Sequence, residues 1–218
     1  MDMRVGIWNV RSLYRAGSLM AVAKEISKYK LELAGVQEVR WGGGGIEFVS
    51  DRISYITLRG RWCDIIILNV HAITEDKIDG IDDRFYGELE YVFDKFPKYP
   101  MKILLGDFNA KVGREDIFRP TIGNENLHEI NNDNGVRVVN FPTSKNLTVK
   151  STMFPYRNIH KFTWTSSDGK IHYQIDHTLI DRRWHSSVLD VRSFRAADCD
   201  TDHYLVVAKV RERLAVNK

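Results

Sequence analysis

Residues 102–110 read Lys-Ile-Leu-Leu-Gly-Asp-Phe-Asn-Ala. The apolar run Ile103-Leu104-Leu105 stops at Gly106, and Asp107 and Asn109 follow two residues apart. A short apolar run reads as a buried strand, and Gly106 lets the backbone turn sharply at its end. If the chain stays extended, Asp107 and Asn109 face the same side. A carboxylate and a carboxamide fixed together at a strand end can activate a water and hold an oxyanion. The same Gly-Asp-x-Asn pattern makes ordinary Asx-turns, so the chemistry depends on partners elsewhere in the chain.

Further segments end an apolar run in usable polar groups: Trp8-Asn9, Gln37-Glu38, Asn69-Val70-His71-Ala72, Gln174-Ile175-Asp176-His177 and Thr201-Asp202-His203. Strand ends on one edge of packed sheets converge, and such edges are where α/β folds place their sites. Repetition of the pattern therefore argues for one shared site more strongly than any single segment does.

The elements that would position these groups follow from periodicity. Val5, Ile7 and the residues to Asn9 read as a first strand, and Leu33 to Glu38 as a second. Between them Leu19, Val22, Ala23, Ile26 and Tyr29 recur at helical spacing, predicting a helix over 18–30. Ile53 to Leu58 and Trp62 to Val70 flank Arg59-Gly60-Arg61 and predict a hairpin. Asp82 is an expected N-cap for a helix with Phe85, Leu89, Val92, Phe93 and Phe96 on one face, ended by Pro97. Residues 111–135 read as a long loop, and a third helix starts near Asn134, with Pro142 stopping or kinking it. Phe162 to Thr165, Tyr173 to Ile180 and Tyr204 to Val210 complete a strand-rich second half. Strands and helices mix without strict alternation, which predicts a layered α/β sandwich rather than a doubly wound sheet.

In order and nearly from end to end, Trp-Asn, Gln-Glu, Gly-Asp-Phe-Asn, Ile-Asp-His and Asp-His resemble the motifs of the endonuclease/exonuclease/phosphatase superfamily. The intervening texture is most similar to the apurinic-endonuclease-like domains of non-LTR retroelements. The resemblance implies a four-layered α/β sandwich of two packed, mostly antiparallel sheets flanked by helices. It implies one domain over residues 1–212, with 213–218 a basic tail. Glu38 would bind Mg²⁺ or Mn²⁺, with Asn9 supporting the metal or the phosphate and Asp202 a second carboxylate; hard oxygen ligands suit these ions. Asp107 would take a proton from the attacking water, and Asn109 would hold a phosphate oxygen or orient that water. His203 would donate to the phosphate as charge develops, with Asp176 fixing its tautomer and keeping it cationic. His71 would touch the phosphate.

The remaining residues have plainer roles. His177 reads as structural, pointing opposite to Asp176 along a strand. His128, His160, His172 and His185 are expected at the surface. Trp164 and Trp184 are expected to pack, and Arg11 and Arg40 to be solvated unless they meet a nucleic-acid backbone.

Two features depart from the resemblance. After Trp41 the chain runs through Gly42 to Gly45 directly into Ile46, where relatives carry more chain, so some strands after residue 41 are expected to be missing. An open sheet edge and lower stability would follow. Ile73 stands where relatives have proline, predicting a looser loop after His71-Ala72.

Composition sets the outer limits. The 218 residues suffice for one substantial core. With 43% hydrophobic and 28% charged residues, the chain has the balance of a soluble globular domain. A net charge of +3 permits a polyanionic partner without demanding one. Cys63 and Cys199 form no zinc-ligand spacing and predict a reducing compartment. There is no secretory h-region, and apolar runs such as Ile65 to Leu68 are far shorter than a bilayer. Together with the resemblance, these features imply a monomeric, intracellular, nuclear Mg²⁺-dependent phosphodiesterase acting on DNA. The alternatives are a phosphatase on inositol phosphates or lipids, and a domesticated, catalytically weak relic acting as a binding module.

Overall fold

The computed structural model describes residues 2–10, 18–37, 45–74, 81–197 and 201–213. Glu38, Arg11, Arg40, Gly42 to Gly44, Cys199 and the tail after Arg213 lie outside them. In chain order the elements are β1 (Asp2–Asn9), α1 (Ser18–Lys28), β2 (Leu33–Gln37), β3 (Ile46–Phe48), β4 (Ile53–Leu58) and β5 (Ile65–His71). Then come α2 (Ile81–Lys95), β6 (Met101–Asp107), α3 (Asp133–Ser144), β7 (Leu147–Val149), β8 (Trp164–Thr165), β9 (His172–Tyr173), β10 (Asp176–Asp181), β11 (Val188–Phe194) and β12 (Leu205–Arg211).

The strands build a four-stranded sheet, β11-β12-β1-β2, and a six-stranded sheet, β3-β4-β5-β6-β10-β7. Among the described residues, only β1–β2 and β5–β6 run parallel in these sheets. Alternation within β5 shows why the layers stack. Ile65 and Ile67 pack between the sheets against Ile103, Leu105, Ile7 and Val206. Ile66, Leu68 and Val70 pack on the other face against Phe85, Leu89 and Phe93 of α2 and Val138 and Val139 of α3. A strand buried on both faces reads as a continuous apolar run, as Ile65 to Leu68 does. On the far side of the smaller sheet, Trp8, Leu205 and Val207 meet Val22 of α1. The layers are therefore α1, small sheet, large sheet, and α2 with α3, the sandwich the sequence predicts.

Differences from the predicted elements have local causes. Helix α1 ends at Lys28 rather than Lys30, which adopts positive φ. Helix α2 begins at Ile81, one residue before Asp82. Helix α3 is capped by Asn132, whose side chain accepts from the Gly135 amide, and it contains Pro142 in its last turn. Trp62 sits in the turn before β5 and is exposed. The expected strand from Tyr173 to Ile180 is two strands. The Thr163 hydroxyl accepts from the amides of Ile175 (2.9 Å) and Asp176 (3.1 Å), which bends the chain between β9 and β10. Strands β7 and β11 were not predicted; one is three residues long and the other carries a register shift between Val188 and Asp190.

Candidate active site

Gly106 serves close packing rather than a turn. It lies inside β6, and a Cβ there would overlap the carbonyl oxygen of Val70 on β5. That tight pairing sets a row across the large sheet, in which His71 of β5 is the register partner of Asp107 and Asp107 that of Asp176. Strands β5 and β6 end at this row, whereas antiparallel β10 begins there. The small sheet repeats the pattern, with Asn9 closing β1 and His203 just preceding antiparallel β12. The Asp176 and His203 segments thus start strands instead of ending them. They still reach the common edge, because an antiparallel strand enters where its neighbours leave.

Side chains join the two sheets at this edge. Asn9 Nδ2 donates to Asp107 Oδ2 at 3.1 Å. His203 Nδ1 lies 3.2 Å from Asp176 Oδ2, and its Nε2 lies 3.7 Å from Asp107 Oδ2. His71 Nε2 is 3.9 Å from the same oxygen. The backbone holds the parts in place: Trp8 Nε1 donates to the His203 carbonyl (3.1 Å) and the Thr201 hydroxyl to the Asn9 carbonyl (2.8 Å).

The Asx-turn is real. Asn109 has positive φ, and its amide donates to Asp107 Oδ1 at 2.9 Å. The chain does not stay extended past Asp107, so the expected same-side alternation of Asp107 and Asn109 fails. The Asn109 carboxamide instead donates to the Ala72 carbonyl at 3.0 Å. Asn134 Nδ2 donates to the carbonyls of Ile73 (2.9 Å) and Asn109 (3.2 Å). Ile73 is itself buried, and the rest of the expected looser loop, residues 75–80, lies outside the described residues.

Charge follows from these contacts. Burial raises the Asp107 carboxyl, helped by the Asp176 charge and opposed by His203, His71 and the Asn109 amide, to about 6. For His203, burial disfavours the cation, but the charge and hydrogen bond of Asp176, with the charges of Asp107 and Asp202, outweigh it and raise the ring to about 9. His203 is therefore an imidazolium at neutral pH, with Nδ1 donating to Asp176 and a hydrogen on Nε2 facing Asp107.

Asp107, Asp176 and His203 bring ligand atoms within 4.8 Å of one another, the group among the described residues that could hold a metal ion, with His203 a ligand only once its ring has lost a proton. This differs from the expected set. Asn9 bonds to the cluster through Asp107, while Asp202 Oδ2 accepts from Trp164 Nε1 at 2.8 Å. Glu38 lies outside the described residues, although Gln37 before it is the register partner of Asn9. Asp176 Oδ1 is buried with no hydrogen-bond partner among the described residues, an oxygen available to a cation or water.

Trp164 does more than pack. It stacks on Tyr173 (5.2 Å between centroids, 14° between planes), bridges His203 through its backbone and holds Asp202. Only its place beside Thr163 in a short apolar run signalled this. Trp184 is buried in the core, as expected. Among the histidines expected at the surface only His185 is exposed. His128 accepts from the Gln174 amide, and burial lowers it to about 4. His172 stacks on Phe162 at 4.3 Å and bonds the Thr165 hydroxyl, and His160 packs edge-on to Tyr156. His177 points away from the site, with Nε2 on the Ala110 carbonyl (2.8 Å) and Nδ1 on the Ser151 hydroxyl (2.9 Å).

No family model matches the chain. The endonuclease domain of TRAS1, a telomere-specific non-LTR retrotransposon, superimposes with a TM-score of 0.67 at 14% identity, over 97% of this chain and 99% of that one. The 3′ phosphatase NExo from Neisseria, bound to product DNA hairpin, gives 0.71 at 19% identity, over 96% and 100%. This chain has the endonuclease/exonuclease/phosphatase fold. In sequence it is similar to craniofacial development protein 2 from Bos taurus, 28% identical over 248 residues and 97% of this chain. The chain spans about two fifths of that relative's length, 41%. No helix among the described residues is long and apolar enough to cross a membrane.

Proposed function

We propose that the chain is a divalent-metal-dependent phosphodiesterase acting on DNA in the nucleus, an endonuclease of the apurinic-site or retroelement type. The observation that carries this reading is the buried network of Asp107, His203 and Asp176 at the edge shared by both sheets, with Asn9 and His71 beside it. Asp107, with a pKa of about 6, accepts a proton from the attacking water near neutral pH. The His203 imidazolium, held by Asp176, donates to a phosphate oxygen as negative charge develops. His71 reaches the same phosphate, and Asn109 orients the water or a phosphate oxygen. Glu38, Asn9 and Asp202, with the free lone pairs of Asp176, are oxygen donors that fit Mg²⁺ or Mn²⁺. When bound, such an ion supplies positive charge against the scissile phosphate.

Both solved neighbours named above support a phosphoester substrate, and the DNA hairpin bound by one of them supports DNA as the partner. Cleavage of an abasic-site duplex in Mg²⁺ tests the reading, with inositol phosphates assayed in parallel. Asp107→Asn and Glu38→Ala should each lower duplex cleavage by about 10²-fold or more, the usual scale for lost acid–base or metal help. Turnover of inositol phosphates alone would favour the phosphatase. A folded parent inactive on every phosphoester would favour the binding relic.

A further inference from the structure

Strands β2 and β3 are consecutive in the chain, yet each is the outermost strand of a different sheet. In the chain, residues 38–45 lead from one edge strand to the other. Between these two edges opens a cleft of about 540 Å³, lined by Val22, Leu33, Val36, Phe48, Ile56 and Ile67 among others. The apolar strand β2, Leu33-Ala34-Gly35-Val36, is only half-buried, although its neighbour β1 is buried from Val5 to Asn9. Ile46 and Phe48 of β3 are 42% and 52% exposed, and Leu19 on α1 above them is 46% exposed. Among the described residues β2 pairs only with β1 and β3 only with β4, so each leaves one row of backbone donors and acceptors without a strand partner.

Asn69 ties the two sheets together at the floor of the cleft. Its carboxamide accepts from Gln37 Nε2 (2.8 Å) and donates to the Val36 carbonyl (3.3 Å), bridging β5 of one sheet to β2 of the other. A Cβ at Gly35 would lie 2.6 Å from Asn69 Oδ1, so glycine is what allows this approach. The floor is thus a fixed polar tether, and the walls are apolar.

The similarity to craniofacial development protein 2 extends over 248 residues, 30 more than the 218 of this chain, so the relative carries at least that many additional positions. The β2–β3 connection is where such residues would lengthen both sheets at once. Thirty residues suffice for a pair of typical strands and their turns.

We propose that this cleft is an acceptor site for an extended peptide segment supplied in trans, which adds a strand to the β2 edge and lays an apolar face on Phe48, Ile56 and Val36. Main-chain pairing gives the affinity in this mode, and alternate side chains entering the apolar cleft give the specificity. The site is separate from the Asp107 network, and the proposal does not depend on the activity proposed above.

The probe is a labelled synthetic peptide copying the residues of Bos taurus craniofacial development protein 2 between its counterparts of Trp41 and Ile46. Fluorescence polarisation with the whole chain should show saturable 1:1 binding. The double substitution Ile46→Asp with Phe48→Asp, at positions 42% and 52% exposed and with folding checked by thermal melt, should weaken it at least tenfold. Tyr91→Asp, an exposed apolar position on α2 outside the cleft, should leave it unchanged. Four results would overturn the proposal: a relative with no extra residues at this point, no saturable binding, binding indifferent to the double substitution, or a concentration-dependent dimer that blocks the peptide.

Discussion

Asp176 and His177 are neighbours on β10, and the two faces of that strand do opposite things with a buried histidine. On the Asp176 face, His203 is ringed by Asp176, Asp107 and Asp202 and is raised to about 9. On the other face, His177 meets a carbonyl and a hydroxyl, and burial lowers it to about 4. Both rings are withdrawn from water. Partner chemistry, not depth, decides that one is a cation and the other a neutral strut. The Ala110 carbonyl can only accept, so His177 Nε2 carries the hydrogen and Nδ1 accepts from Ser151.

The largest expected effect comes from turning the site face into a copy of the core face. Asp176→Asn removes the charge that holds His203 cationic. Duplex cleavage should fall by roughly 10²–10³-fold at neutral pH, the range for a misplaced acid–base group, and the imidazole titration followed by NMR should move His203 down from about 9. An unchanged titration would show that Asp176 is not the controlling charge.

Next is the pH dependence of stability, measured by urea unfolding in metal-free buffer. His203 has a raised folded value, so its contribution is complete below the ordinary 6.5 and is lost as pH climbs towards 9. His177 has a lowered folded value, so its contribution is complete above 6.5 and is lost as pH falls towards 4. Each limb is on the order of 3 kcal/mol. Substituting His203 should flatten the alkaline limb, and substituting His177 should reduce the acid one, to which His128, also lowered to about 4, contributes as well.

His177→Ala should cost about 2–4 kcal/mol of stability, since it leaves a cavity and strands the Ser151 hydroxyl and Ala110 carbonyl. A smaller change is expected from Trp164→Phe, which keeps the stack on Tyr173 but deletes the donor to Asp202. A loss of about 1 kcal/mol, roughly five-fold in rate, is the scale of one such hydrogen bond. No change in rate would make Trp164 a packing residue after all.

Much of this contrast was legible in the residues. Strand periodicity separates Asp176 from His177, and the pairing of a buried acid with His203 needs only that two sheets share an edge. What the residues hid is mostly non-local. The bend before Asp176 depends on the Thr163 hydroxyl, thirteen positions away. Gly106 looked like a turn former because its true constraint, the Val70 carbonyl, sits on another strand. Likewise, Asn109 looked extended because nothing in one strand reveals that Ala72 and Asn134 hold the following loop. The surface reading of His128 and His172 failed for the same reason: their partners, Gln174 and Phe162, come from packing rather than spacing.

The most direct test sets His203→Asn against His177→Asn in Mg²⁺-dependent cleavage of an abasic-site duplex, with each variant first shown to be folded. The two-faced strand predicts that His203→Asn loses about 10²-fold or more, while His177→Asn stays within about three-fold of the parent once folded, as a group outside the site should. Equal losses, or a greater loss at His177, would contradict it.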